Sequence, residues 1–311
     1  MSFTYKNFSF ISNSDELEIH ATAIIPDDKI QGVVQLVHGM CEYKDRYYDF
    51  MEYLAKRGYL CVIHDNRGHG KSLKDESYLG HFYKGGYKAM VEDIRQIQLM
   101  IREHVKDVPY VLFGHSMGSM AVRCFLKKFD SSVDKVVLSG SPSYNGAVPF
   151  GLLGTILIGK LKGDRNHSKF MDYIVVNSTF ESRFKDGPIH SWICSDPKVV
   201  EEFNRDPLCN FTFTIGGYRE MLKLMMDCYS KKGWQINNPD LPVFFASGKD
   251  DPCNISPKNF GKSVHFLKSV GYNDIYARLY GGMRHEVLNE KNKKRVYSDI
   301  YEFIINGKIK K

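Results

Sequence analysis

Short apolar runs rich in β-branched residues alternate along this chain with longer amphipathic stretches, and that rhythm restricts the possible folds more than any other feature. Residues 33–37 are followed by 46–57, residues 59–64 by 85–105, and residues 110–113 by 117–129. Strands separated by helical crossovers build a parallel sheet covered by helices. Upstream, residues 6–11 and 17–25 read as strands joined by the turn residues Asn13-Ser14-Asp15, which predicts an antiparallel start to the sheet. The rhythm continues at 136–139, fails between Pro142 and Asn238, and resumes with strands at 241–247 and 275–280 and helices near 257–270 and 290–305. The expected fold is α/β, with about eight mostly parallel strands flanked by helices. Residues 1–141 and 239–311 would form the core and 142–238 an inserted cap. Structureless loops of such length are rare in compact domains, so the cap should be mainly helical, with 198–204 and 218–229 as candidates.

Composition narrows the class. A 311-residue chain with 43% hydrophobic and 25% charged residues can bury a large core, which excludes disordered and fibrous chains. The first twenty residues carry no basic start followed by an apolar stretch, so neither a secretory signal nor an anchor is expected, and the expected location is cytoplasmic. Seven cysteines, an odd number without a C-x-x-C pair, fit reduced thiols packed as small core residues better than a disulfide framework or a zinc site. The formal charge of +7 is spread over positions 127–128, 160–169, 231–232, 291–295 and the tail lysines Lys308, Lys310 and Lys311. Solvated faces explain that spread. Phosphate recognition concentrates its charge on one surface, and no nucleic-acid-binding motif accompanies it, so no nucleic-acid partner is expected.

Within the cap, residues 147–158 are apolar with no charge until Lys160. The run is too short to span a bilayer, which takes about twenty residues. Two readings stand: burial beneath the cap, or an exposed lid surface that makes transient contact with a membrane. Met221, Leu222, Leu224, Met225 and Met226 pose the same choice, between ordinary helix packing and a pliable pocket for acyl chains.

Chemistry concentrates at Gly114-His115-Ser116-Met117-Gly118. This G-x-S-x-G follows a strand run and opens a helical pattern, the setting of a serine nucleophile elbow. A serine hydroxyl needs a base within hydrogen-bond reach and an acid to orient that base. Eleven histidines compete, and position decides among them. His38 and His115 lie inside turn motifs, His64 ends a strand, His69 and His81 precede a helix, and His265 sits within one. His285 alone follows the last strand on a glycine-flexed loop, Gly281-Gly282-Met283-Arg284-His285-Glu286. The acid is sought in Gly248-Lys249-Asp250-Asp251-Pro252, where the residues themselves leave Asp250 and Asp251 open. The chain order of serine, acid and histidine is that of α/β-hydrolases. Backbone N–H donors that stabilise an oxyanion are expected at Met117, after the nucleophile, and at Met40, in the His38-Gly39-Met40-Cys41 loop after residues 33–37.

Val37-His38-Gly39-Met40-Cys41-Glu42 with Arg46-Tyr47, Asp65-Asn66-Arg67-Gly68-His69-Gly70-Lys71-Ser72, the elbow, and Arg284-His285-Glu286 together resemble the monoacylglycerol lipase and lysophospholipase group of α/β-hydrolases, and the likeness spans nearly the whole chain. Trp192-Ile193-Cys194-Ser195-Asp196 and Asp206-Pro207-Leu208-Cys209 are similar to segments of bacterial lysophospholipases. The resemblance implies an α/β-hydrolase fold, a G-x-x-D turn that selects Asp251, and a serine esterase acting on monoacyl lipids without metal or organic cofactor. It also implies that Glu42 and Arg46 seat the glycerol end of the substrate, against the alternative of a surface ion pair. Tyr43 departs from the group, which often has histidine there, as does much of the cap, so acyl-chain preference does not transfer. General carboxylesterases, aminopeptidases and non-catalytic ligand-binding proteins share the scaffold and are the alternatives.

Overall fold

A computed structural model of the chain describes residues 2–174 and 180–309. Met1, residues 175–179 of the expected cap, and Lys310 and Lys311 of the basic tail lie outside the described residues. The strands β1 (Phe3–Ile11), β2 (Glu18–Pro26), β3 (Gly32–Val37), β4 (Tyr59–His64), β5 (Tyr110–His115), β6 (Lys135–Ser139), β7 (Val243–Gly248) and β8 (Ile275–Tyr280) form one sheet in the order β1-β2-β4-β3-β5-β6-β7-β8. The β1–β2 and β2–β4 pairs are antiparallel and the remaining pairs parallel, which is the mixed sheet the apolar runs predict.

Every residue of β3, β4, β5 and β7 is buried, because helices cover both faces of the central sheet. Alternation assigns the faces. Val34, Leu36, Val111 and Phe113 pack with α1 (Tyr48–Ala55) and α9 (Lys293–Asn306) through Phe50, Leu54, Tyr297 and Phe303. Val33, Val37, Tyr110 and Leu112 face the other way, onto α2 (Gly86–His104), α3 (Met117–Phe129) and α8 (Pro257–Val270). Gln35 is the polar exception on β3. It is buried but satisfied, donating to Ile94 O at 3.0 Å and accepting from the Tyr110 hydroxyl at 2.6 Å.

The helices expected over 46–57, 218–229 and 290–305 begin instead at Tyr48, Ile215 and Lys293. A turn of 3₁₀ helix at Lys44–Tyr47 precedes α1, because Asp65 accepts the Lys44 N–H at 2.9 Å and fixes the chain before it can wind. The last helix starts at Lys293, since Glu290 spends its carboxylate on the Arg284 N–H at 2.7 Å and the Ser195 N–H at 2.9 Å.

Between β6 and β7 lie α4 (Val148–Lys162), α5 (Lys169–Asp172), α6 (Pro197–Arg205) and α7 (Ile215–Cys228). Asp196 and Thr214 cap α6 and α7, their side chains accepting from the Lys198 and Gly217 N–H groups at 3.1 and 3.0 Å. Tyr218 and Leu224 are buried, which is the packing role considered for that stretch, while Met221, Leu222 and Met225 reach the cavity described below. The 147–158 run forms most of α4, and much of it faces outward: Phe150 is 78% and Leu161 86% exposed, with Leu153 and Leu157 between them. No described helix is long and apolar enough to cross a membrane.

Chain order reverses across β3: β4 lies on one side of it and β5 on the other. Loops leaving the carboxyl ends of strands at such a switch diverge and open a crevice. The loop after β3 carries Met40, and the turn after β5 carries Ser116.

Candidate active site

Ser116 turns the chain from β5 into α3 with φ +51° and ψ −119°, a conformation that costs strain in a residue with a Cβ. Its surroundings enforce it. The Ser116 N–H donates to Ser139 O at 2.9 Å, and Ser116 O accepts from the Ser119 N–H at 2.9 Å and the Ser119 hydroxyl at 2.6 Å. Gly118 needs to be glycine because a Cβ there would stand 2.2 Å from Val37 O and 2.5 Å from His38 O. The elbow therefore abuts the end of β3.

The loop after β3 is fixed by its histidine and its acid. The Asn66 N–H donates to His38 Nε2 at 2.8 Å, so the ring carries its proton on Nδ1, which donates to Gly39 O at 2.9 Å. Burial, with His69 beside it, holds His38 well below the ordinary imidazole value, consistent with this neutral tautomer. The Gly39 N–H donates to Glu42 Oε1 in a short contact. Both sides of Gly39 are thus held, next to the Met40 peptide. Met40 and Met117 line the same cavity as Ser116, and neither N–H has an acceptor among the described residues. The Met117 N–H also begins α3, where the helix leaves its donors unpaired and its dipole favours negative charge.

On the far side stands His285, 3% exposed, in the loop after β8. Its Nδ1 lies 3.0 Å from each oxygen of Asp251, the buried member of the aspartate pair, whereas Asp250 is exposed. Asp251 also accepts the Cys253 N–H at 2.9 Å and the Ser247 hydroxyl at 3.0 Å. Burial opposes ionisation of Asp251, but the adjacent imidazole and these donors hold its carboxyl below the ordinary value. For His285, burial disfavours the imidazolium, but the charge of Asp251, the neighbouring Cys253 and the hydrogen bonds to both together outweigh it, so its pKa is raised. The other face of the ring meets Trp192, centroids 5.1 Å apart, which in turn stacks on Phe180 at 4.8 Å.

Asp251, Cys253 and His285 bring potential metal-ligating atoms within 4.8 Å of one another. Burial pushes the Cys253 thiol up to about 11, so a neutral thiol sits 4.0 Å from His285 Nε2. The trio therefore reads as a hydrogen-bonded acid and base with a thiol packed against them.

Ser116 and His285 line one cavity of about 320 Å³, although no hydrogen bond joins Ser116 Oγ to His285 Nε2. Such contacts are often long before substrate binds. The walls are largely apolar, with Met120 from α3, Met221, Leu222 and Met225 from α7, and Trp192 and Phe211 from the loops flanking α6.

Glu42 and Arg46 form no surface ion pair. Arg46 donates to Glu42 Oε2 at 3.1 Å and, through both terminal nitrogens, to the two oxygens of Glu286 at 2.7 Å. Glu42 and Glu286 line the cavity, while Arg46 is held behind them with Phe203 across its guanidinium at 5.0 Å. Burial pushes the Glu42 carboxyl up, Arg46 draws it down and Glu286 raises it again, to about 7. Burial also raises Glu286, but there Arg46 dominates and holds it below its ordinary value. Sequence reasoning assigned no role to Glu286, Trp192 or Cys253. The only signal for Glu286 was a carboxylate adjoining the expected base, and for Trp192 a large aromatic in a cap segment noted only for its likeness to other proteins.

The chain is similar to a family profile, a curated relative and two solved structures. The profile of the family described as serine aminopeptidase, S33, matches residues 28–292. A monoacylglycerol lipase of Mycolicibacterium smegmatis is 24% identical over 283 residues, covering 90% of each chain. Among solved structures, a thermostable carboxyl esterase from Bacillus coagulans, in complex with glycerol, superposes with a TM-score of 0.87 at 25% identity, covering 98% of this chain and 99% of its own. A soluble variant of the Saccharomyces cerevisiae monoglyceride lipase, bound to a substrate analog, shares the fold with a TM-score of 0.72 at 18% identity, covering 98% of this chain and 96% of its own.

Proposed function

The chain belongs to the serine aminopeptidase S33 family of α/β-hydrolases, and from that premise we propose that it is a serine carboxylic-ester hydrolase of monoacyl lipids, monoacylglycerol or lysophospholipid. The observation that carries this reading is the position of Ser116 and His285 on the wall of one largely apolar cavity, with Asp251 bound behind His285 at Nδ1. Ser116 Oγ attacks the ester carbonyl as His285 Nε2 takes its proton, and the oxyanion is met by the Met40 and Met117 N–H groups. Asp251 keeps the proton on Nδ1 and stabilises the imidazolium without accepting that proton. When the carbonyl re-forms, the C–O bond to the alcohol breaks and His285 returns the proton to the leaving oxygen. Water, activated by the same imidazole, then releases the fatty acid.

The outward face of α4 is assigned to an anionic lipid surface. Phe150, Leu153, Leu157 and Leu161 form one apolar stripe, and the exposed cations Lys160, Lys162, Arg165 and Lys169 flank it. A stripe of that composition inserts at a headgroup boundary while its cations meet anionic lipid.

A fluorophosphonate probe tests the catalytic proposal. Wild type is expected to be labelled and Ser116→Ala not, and nitrophenyl esters of medium and long acyl chains are expected to be cleaved in preference to aminoacyl anilides. Exclusive anilide cleavage would assign an aminopeptidase, and equal labelling of both proteins a non-catalytic binder.

A further inference from the structure

His190 lines the cavity in a segment joined to the His285 loop, where Ile193 O accepts the Glu286 N–H at 2.7 Å, and its whole residue is held in an unusual pose. Its backbone has φ +63°, in the left-handed region that side-chain-bearing residues seldom adopt. The pose is kept by Glu181, whose carboxylate accepts the His190 N–H at 2.7 Å, and by the Ile193 N–H, which donates to His190 O at 3.0 Å. The ring is fixed as well. Asn204 donates its amide N–H to Ile189 O at 2.8 Å, which turns its oxygen toward His190 Nδ1 at 2.6 Å. An amide oxygen only accepts, so Nδ1 carries the proton. The edge of the ring rests on Phe203 with centroids 5.2 Å apart. Among the described residues Nε2 has no partner, which leaves it an acceptor in the neutral ring.

The charges around the cavity point the same way. Glu42, Asp172 and Glu286 line it, no lysine or arginine is among its described lining residues, and Arg46 is already engaged by two carboxylates. A phosphate group is recognised by guanidinium, ammonium or unpaired N–H donors. The Met40 and Met117 N–H groups are taken up by the ester oxyanion in the proposed reaction, so a phosphate on the head group would face carboxylates and an acceptor nitrogen, whereas a hydroxyl has a proton to give to either.

We infer that His190 Nε2 accepts a hydrogen bond from a hydroxyl of the substrate's head group, and that the carboxylate-lined wall selects an uncharged polyol head over a phosphate-bearing one. The inference rests on the ester-hydrolase reading above and narrows its substrate class.

The test compares three esters of one fatty acid, with methanol, glycerol and glycerol 3-phosphate as the alcohols, on the full-length protein. Wild type is expected to favour the glycerol ester over the phosphate ester by about tenfold or more in kcat/KM, since like charges face each other across the site. His190→Asn, which tolerates positive φ, is expected to lower the glycerol-to-methyl ratio about fivefold through KM, the effect of one lost hydrogen bond. Asn204→Asp replaces the acceptor amide with a carboxylate, which favours a doubly protonated ring whose Nε2 donates; the phosphate ester is expected to gain relative to the glycerol ester. Equal use of the glycerol and phosphate esters by wild type, or ratios that neither variant moves, would overturn the inference while leaving the hydrolase reading intact. Failure to cleave even the methyl ester would overturn the hydrolase reading itself, and the inference with it.

Discussion

At the scale of single residues, the His285–Asp251 contact has a consequence for pH. Asp251 raises the pKa of His285, and the proposed base works only when unprotonated, so activity is lost as pH falls through a value above the ordinary imidazole 6.5. Replacing Asp251 with Asn removes the charge that raises it. The acid limb of kcat/KM against pH is therefore expected to move to lower pH, while the plateau drops about 10⁴-fold because the tautomer is no longer held. Stopped-flow or steady-state profiles from pH 5 to 9 check both effects, and an unmoved limb would detach Asp251 from the base. The sequence singled out Ser116 and His285 as candidates because each follows a recognisable strand. Asp250 and Asp251 were not separable, because adjacent residues share every pattern and only the turn after β7 decides which one is buried. Nor was the Arg46–Glu286 pair, whose members stand 240 positions apart and meet only when the sheet brings their loops together.

At the scale of elements, α4 shows why the cap was harder to read than the core. Strands β3 and β4 declare themselves through continuous apolar runs, as both faces of the sheet are covered. In α4 apolar residues occupy nearly every side of the helix, so no period distinguishes the face on α7 from the face on solvent. The exposure of Phe150 and Leu161 settles that choice for the outer stripe. If that stripe meets lipid, Phe150→Gln with Leu157→Gln will weaken sedimentation with vesicles containing anionic lipid by about tenfold or more, from the apolar area no longer buried. Cleavage of a short, water-soluble ester measured alongside separates loss of docking from damage to the site. Binding unchanged in the double variant would remove α4 from the interface.

At the scale of the whole molecule, the core is tied together by a buried charge network. Arg67 is fully buried, with Nε 2.9 Å from Asp93 Oδ2 and a terminal nitrogen 2.9 Å from Asp15 Oδ2. It joins the loop after β4 to α2 and to the turn between β1 and β2. Asp93→Ala leaves a buried cation short of a partner and is expected to cost about 3–5 kcal/mol in urea unfolding. A cost under 1 kcal/mol would mean the network is not what holds these segments. The order of the sheet carries one last consequence, for synthesis on the ribosome. The serine emerges with β5, whereas its proposed partners follow β7 and β8, beyond the entire cap. A growing polypeptide thus exposes the alcohol long before the proposed base can reach it, and on that reading the centre stays dormant until the final strands have been translated and docked.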